Sequence, residues 1–137
     1  MHVGEMLSSH PQASGGVNDV LVQCIEACFD CAQTCISCAD ACLAGTGASA
    51  LARCIRLDLD CADACAATGS VLTRRTAARS ALMVQMLETC ADFCRLCADE
   101  CDRHAGHQGH CRICAEACRH CERACHQAAT ASGRSGL

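Results

Sequence analysis

From Cys24 to Cys42 the apolar positions recur at gaps of four, three, four, three and four, and every one of them is cysteine. The positions between are Ala, Glu, Asp, Gln, Ser and Thr with occasional Ile and Phe. That rhythm averages 3.5 residues, the a/d pattern of a helix that keeps one seam against its neighbours in a left-handed bundle. The same beat returns at Cys54, Asp58, Cys61 and Cys65, at Cys90, Cys94, Cys97 and Cys101, and at Cys111, Cys114, Cys118, Cys121 and Cys125.

Four helices follow from the pattern. The first is expected from the N-cap candidates Asn18 and Asp19 to about residue 44, before the turn Gly45–Ser49. The second is expected over about 48–68, with Gly69 as its C′ residue. The third is expected over about 73–104, and the fourth over about 108–129, after the turn His104–His110. Short loops make sequential helices antiparallel neighbours, so the expected fold is all-α, an up-down-up-down four-helix bundle with a cysteine-lined core. Each helix is roughly 30–45 Å long at 1.5 Å per residue. Residues 1–17 and 131–137 read as flexible tails around a bundle spanning 18–130.

Composition sharpens the picture. Only 23 of the 137 residues are Leu, Ile, Val or Phe, there is no Trp or Tyr, and 18 are Cys. So little aliphatic material would ordinarily signal disorder. Buried thiols behave as small hydrophobes and supply the missing core. A secreted disulfide scaffold is the usual reading of a short cysteine-rich chain. Here the N-terminus has neither a basic segment nor an apolar one, no apolar run looks long enough to span a membrane, and the single proline is Pro11. A cytoplasmic location is therefore expected. The net charge of −4 offers no basic stripe for nucleic acid.

Spacing decides what the thiols are for. Helical neighbours at i,i+3 and i,i+4 have Cβ atoms about 5–6 Å apart, whereas a disulfide wants roughly 3.5–4.5 Å. A linear sulfur–metal–sulfur unit spans about twice a ~2.3 Å bond, which such neighbours reach easily. Soft thiolates select Cu(I), Zn and iron–sulfur clusters. A monovalent ion replacing each thiol proton leaves the core neutral, while tetrahedral Zn²⁺ would strand several uncompensated negative charges at high cost. Cu(I), many ions per chain, is favoured; zinc or cadmium in a metallothionein-like role, and a metal-free or oxidised role, are the alternatives. Core filling alone would be served by Ala without the oxidation risk.

Asp58 stands inward between Cys54 and Cys61, as an oxygen ligand if the seam holds and as a surface carboxylate if the helix is rotated. His104, three after Cys101, His107, four before Cys111, and His110 share one end of the bundle. They read either as solvated loop residues or as a mouth passing copper to the thiolates. Leu21, Met83 and Leu87 extend the seams at the other end and read as a hydrophobic plug.

The CxxxCxxC repeats on four helices resemble the bacterial copper storage proteins, specifically the cytosolic kind, over about residues 18–130. That resemblance implies a homotetramer of bundles engaged in copper homeostasis, each storing Cu(I) through its core thiolates with minor oxygen and histidine ligation. The implied ligands are the 18 cysteines, Asp58 and some of His104, His107 and His110. Expected partners are copper ions handed over by a copper chaperone, with no nucleic acid and no membrane. A copper chaperone is the competing function; it would need one or two exposed sites. An enzyme is not expected, because a thiol oxidoreductase wants an exposed CxxC at a helix N-terminus and these cysteines lie mid-helix.

Overall fold

The structure, a computed structural model, describes residues 1–13 and 18–135, with the side chains of residues 134 and 135 excepted. Five helices follow in order: α1 Val3–Ser8, α2 Asp19–Ala44, α3 Ala52–Thr73, α4 Ser80–His104 and α5 Gly109–Ser135, with a 3-10 turn at Ala48–Leu51 before α3. No strand occurs among the described residues. The four long helices pack in a ring, α2 on α3, α3 on α4, α4 on α5 and α5 on α2. This is the antiparallel up-down-up-down bundle that short connections dictate.

Local chemistry sets the helix ends. Asn18 caps α2, its Oδ1 accepting from the backbone N–H of Val20 at 2.9 Å and Leu21 at 3.3 Å. Gly47 takes a left-handed φ of 85°, closing the turn into the 3-10 segment. Buried alanines flank the seams (Ala27 and Ala39 on α2, Ala62 on α3, Ala91 and Ala98 on α4, Ala115 on α5) and let the helices approach around slender thiols.

The seams run further than the cysteines. On α3 they continue through Thr68 to Leu72, and on α5 through Ala128 to Ser132, all buried. With Leu21, Ile25, Met83 and Leu87 they close one end of the tube, so the plug is apolar as expected, apart from Thr68 and Ser132. Met83 Sδ also receives a contact from Arg75 Nη2 at 3.5 Å.

Several boundaries differ from the sequence reading. Gly69 does not end α3, which runs on to Thr73. A Cβ at Gly69 would lie 3.1 Å from two ring carbons of Phe29 and 3.3 Å from Cys28 Cβ, so this glycine serves close approach of α3 to α2. The next helix starts at Ser80, not near 73, because Ala77 adopts φ 54° and breaks the run. The segment expected as an N-terminal tail contains α1, whose Leu7 is buried in the core, against which Val3, Val20 and Val22 also pack. Helix α5 continues past 130 to Ser135. Of the expected tails, residues 14–17 and 136–137 lie outside the described residues. By length and composition alone, α2 meets the measure of a membrane-crossing helix, contrary to the sequence reading, because cysteine counts as apolar. Its thiol seam is buried in the bundle, and its outer face carries Asp30, Gln33 and Asp40.

Candidate metal centre

All 18 cysteines are buried and unpaired by disulfides. Their sulfurs face one another along the bundle axis. At the plug end Cys24 Sγ lies 3.9 Å from Cys125, and Cys90 lies 3.7 Å from Cys65. Midway, Cys31 and Cys35 approach Cys118 at 3.7 and 3.6 Å, and Cys65 approaches Cys94 at 3.6 Å. Towards the far end Cys54 lies 3.6 Å from Cys101, and Cys42 lies 3.9 Å from Cys111. These separations fall slightly below the ~4.6 Å of two metal–sulfur bonds in line, so small rotations about χ1 admit an ion.

The sulfurs gather into overlapping sets whose donor atoms all lie within 4.8 Å of one another. They include Cys28, Cys90, Cys121 and Cys125; Cys31, Cys65, Cys94 and Cys121; Cys31, Cys35, Cys61 and Cys118; and Cys35, Cys97, Cys114 and Cys118. Cys31, Cys35, Cys118 and Cys121 each belong to two sets. Sharing of this kind makes a continuous lattice, not a row of separate tetrahedral cages.

Asp58 points into that lattice, fully buried. Its Oδ1 accepts from the S–H groups of Cys97, Cys114 and Cys101 at 3.1, 3.4 and 3.5 Å. Its Oδ2 is buried without a hydrogen-bond partner. Burial, reinforced by the neighbouring Cys114 and Cys97, pushes the carboxyl up to about 10. An orphaned oxygen among three thiols is the donor set of a cation site.

The thiols titrate as a coupled set. The hydrogen bond shared with Cys125 chiefly draws Cys24 down to about 5, and the one shared with Cys101 chiefly draws Cys54 down to about 3. At the open end burial pushes Cys42 and Cys111 up. A thiolate at one position is thus held by S–H groups beside it, which retain their own protons.

The three candidate histidines part company. His110 Nε2 lies 3.4 Å from Cys42 Sγ and joins Cys38, Cys42 and Cys111 in a further four-donor set. His104 is half-buried and turns Nε2 towards Glu100 Oε2 at 3.0 Å. His107 is exposed in the α4–α5 turn. Glu100 escaped the sequence reading. It is only 7% exposed, and its carboxylate gathers Arg53 at 3.2 Å and Arg103 at 3.7 Å as well as His104. Its position just before Cys101 was the available signal; its burial depends on Arg53, far away in sequence.

The pattern described for copper storage proteins matches residues 17–130. The chain belongs to the copper storage protein family. The copper storage protein Ccsp of Streptomyces lividans, solved with 10 copper equivalents, is 48% identical to this family member. The match covers 91% of this chain and 96% of that one, with a TM-score of 0.88. A second structure, of a cytosolic copper storage protein from Streptomyces lividans with five coppers, is 50% identical over 80% of this chain and 91% of that one, with a TM-score of 0.78. The cysteine-rich protein YhjQ of Bacillus subtilis (strain 168) is 39% identical over 102 residues, covering 74% of this chain and 89% of that relative.

Proposed function

We propose that this copper storage family member holds many Cu(I) ions as cargo along its thiol-lined axis. The observation that carries this reading is the sharing of cysteines between adjoining four-sulfur sets, as at Cys31 and Cys118. Separate tetrahedral ions would each need four sulfurs of their own. Shared sulfurs suit an ion content with fewer donors, and Cu(I) on thiolate leaves the dry core uncharged, so no buried charge needs a counterion.

The ligands are the 18 cysteines, Asp58 and His110, with His104 and His107 at the mouth. Copper enters at the histidine end, because the opposite end is closed by Leu21, Leu72, Met83 and Leu87. Each arriving ion displaces thiol protons, so loading releases acid. A copper chaperone hands over the ions, the store is cytoplasmic, and four copies assemble into a homotetramer, in keeping with the family. The protein is a store and not an enzyme: its thiols are sealed inside the bundle, away from any substrate larger than an ion.

Anaerobic Cu(I) titration of the reduced protein against a competing chelator tests the proposal. A dozen or more ions per chain are expected. One or two would indicate a chaperone, and four or five Zn²⁺ taken up in preference would replace copper with zinc.

A further inference from the structure

The carboxylate of Glu100 sits outside the outermost sulfur pair of α3 and α4. Glu100 directly precedes Cys101, Arg53 directly precedes Cys54, and the two sulfurs lie 3.6 Å apart. The Arg53–Glu100 ion pair, 3.2 Å long, therefore bridges the same two helices one step further from the axis. One turn along α4, His104 brings Nε2 to 3.0 Å from Glu100 Oε2. Arg103 approaches Oε1 of the same carboxylate at 3.7 Å.

A carboxylate offers only lone pairs, so the ring nitrogen that faces it carries the hydrogen. Two guanidinium groups on the other oxygen fix the carboxylate's place. With Nε2–H spent on Glu100, the neutral ring keeps its free lone pair on Nδ1. This is the outer-shell arrangement by which carboxylates set the tautomer and raise the basicity of ligating imidazoles.

We propose that Glu100 is a positioning residue: it holds His104 as the Nε2–H tautomer, with Nδ1 presented to incoming Cu(I), and Arg53 and Arg103 anchor it there. The inference rests on the reading that copper enters at the histidine end. Glu100 itself does not touch copper. Its burial beside two guanidinium groups and the His104 ring, on a surface where the other carboxylates are mostly solvated, is explained by this task.

Two measurements on the full chain test it. In metal-free, reduced protein labelled with ¹⁵N-histidine and held at a pH where the ring is neutral, long-range ¹H–¹⁵N correlation is expected to show His104 as Nε2–H. Glu100→Leu is expected to give a mixture of tautomers. An Nδ1–H ring in the wild-type protein overturns the proposal, and this reading needs no variant to fold. The second measurement is anaerobic stopped-flow loading with Cu(I) supplied as its acetonitrile complex. Glu100→Leu and His104→Ala are each expected to slow the early phase by about tenfold, the lower end of the effect of outer-shell partners. The double variant is expected to be no slower than either, and final capacity to hold. If His104→Ala slows loading while Glu100→Leu does not, Glu100 has no such role and the histidine entry stands. If His104→Ala loads at the wild-type rate, the entry reading fails at His104 whatever the tautomer.

Discussion

Asp58 Oδ1 accepts a hydrogen bond from Cys97 Sγ at 3.1 Å, inside a layer that water does not reach. The contact ties the one inward carboxylate of α3 to the thiol seam of α4. Its consequence for stability is a proton that the folded chain keeps and the unfolded chain gives up.

The sign follows from the two ends of that titration. Unfolded, Asp58 loses its proton near the ordinary 3.8; folded, it keeps it until about 10. Between these values the native state binds more protons, so the Asp58 contribution is complete below about pH 4 and is lost progressively as pH rises towards 10. One pH unit is worth about 1.4 kcal/mol at most. Urea unfolding of metal-free, reduced wild-type and Asp58→Asn proteins at pH 5 and pH 7 isolates this contribution from that of the low-lying thiols Cys24 and Cys54, whose sign is opposite. Asp58→Asn should remove about 2–3 kcal/mol of the difference between those two pH values. An identical pH dependence in the two proteins would mean that Asp58 is ionised in the fold.

Shared sulfurs should matter more than peripheral ones. Cys118 contacts both Cys31 and Cys35 and belongs to two four-sulfur sets, whereas Cys24 sits at the plugged end against Cys125. Cys118→Ala is expected to lower copper capacity by roughly two ions and Cys24→Ala by roughly one, since each Cu(I) draws on only a few soft donors. Both should cost about 1 kcal/mol in metal-free stability, the scale of one buried methylene. Chelator-competition titration measures the first quantity and urea unfolding the second. Equal capacity losses would contradict the lattice.

Gly69 lets α3 pass close to α2, and its substitution should be felt. A Cβ there meets the Phe29 ring at 3.1 Å and Cys28 Cβ at 3.3 Å. The ring, only half-buried, can swing aside, but Cys28 Cβ is fixed to the α2 backbone. Gly69→Val adds bulk to which Cys28 Cβ cannot yield and is expected to destabilise the fold by about 1–3 kcal/mol, as overpacking does. Thermal unfolding of the reduced protein checks this. A gain in stability would show that helix propensity outweighs the contact.

The heptad of thiols was legible because it is local: period 3.5 along each helix fixes which face turns inward, and that placed the 18 cysteines and the plug residues Leu21, Met83 and Leu87, while leaving Asp58 between an inward and a surface position. The neighbourhood of Asp58 among Cys97, Cys101 and Cys114 was not, since it depends on the register between α3, α4 and α5. Helix ends were hidden where composition favours helix throughout. The stretch Arg74–Arg79 holds Ala and Arg, good helix formers, yet extended Arg74 and Arg79 and the left-handed Ala77 break it. Gly69 misled in the other direction, since a glycine needed for close packing looks like one needed for a C-cap. Helix α1, six residues long, is too short to show a period. Glu100 is buried by partners on two helices, which no single-helix pattern reveals.

The plug and the lattice should separate cleanly on mutation. Leu87 is fully buried and Met83 nearly so, at the end of α4 remote from the histidines. Leu87→Ala opens a cavity in the buried core and is expected to cost about 2–5 kcal/mol. Met83→Leu conserves volume and should cost less than about 1.5 kcal/mol. Neither residue contributes a sulfur to the four-donor sets described above, so both variants should bind as much copper as the wild-type protein once folded. Unfolding free energies and anaerobic copper titration on the same preparations give the two readouts. A loss of copper in Met83→Leu without a matching loss of stability would make the thioether a ligand and reopen the plugged end as a route for the ion.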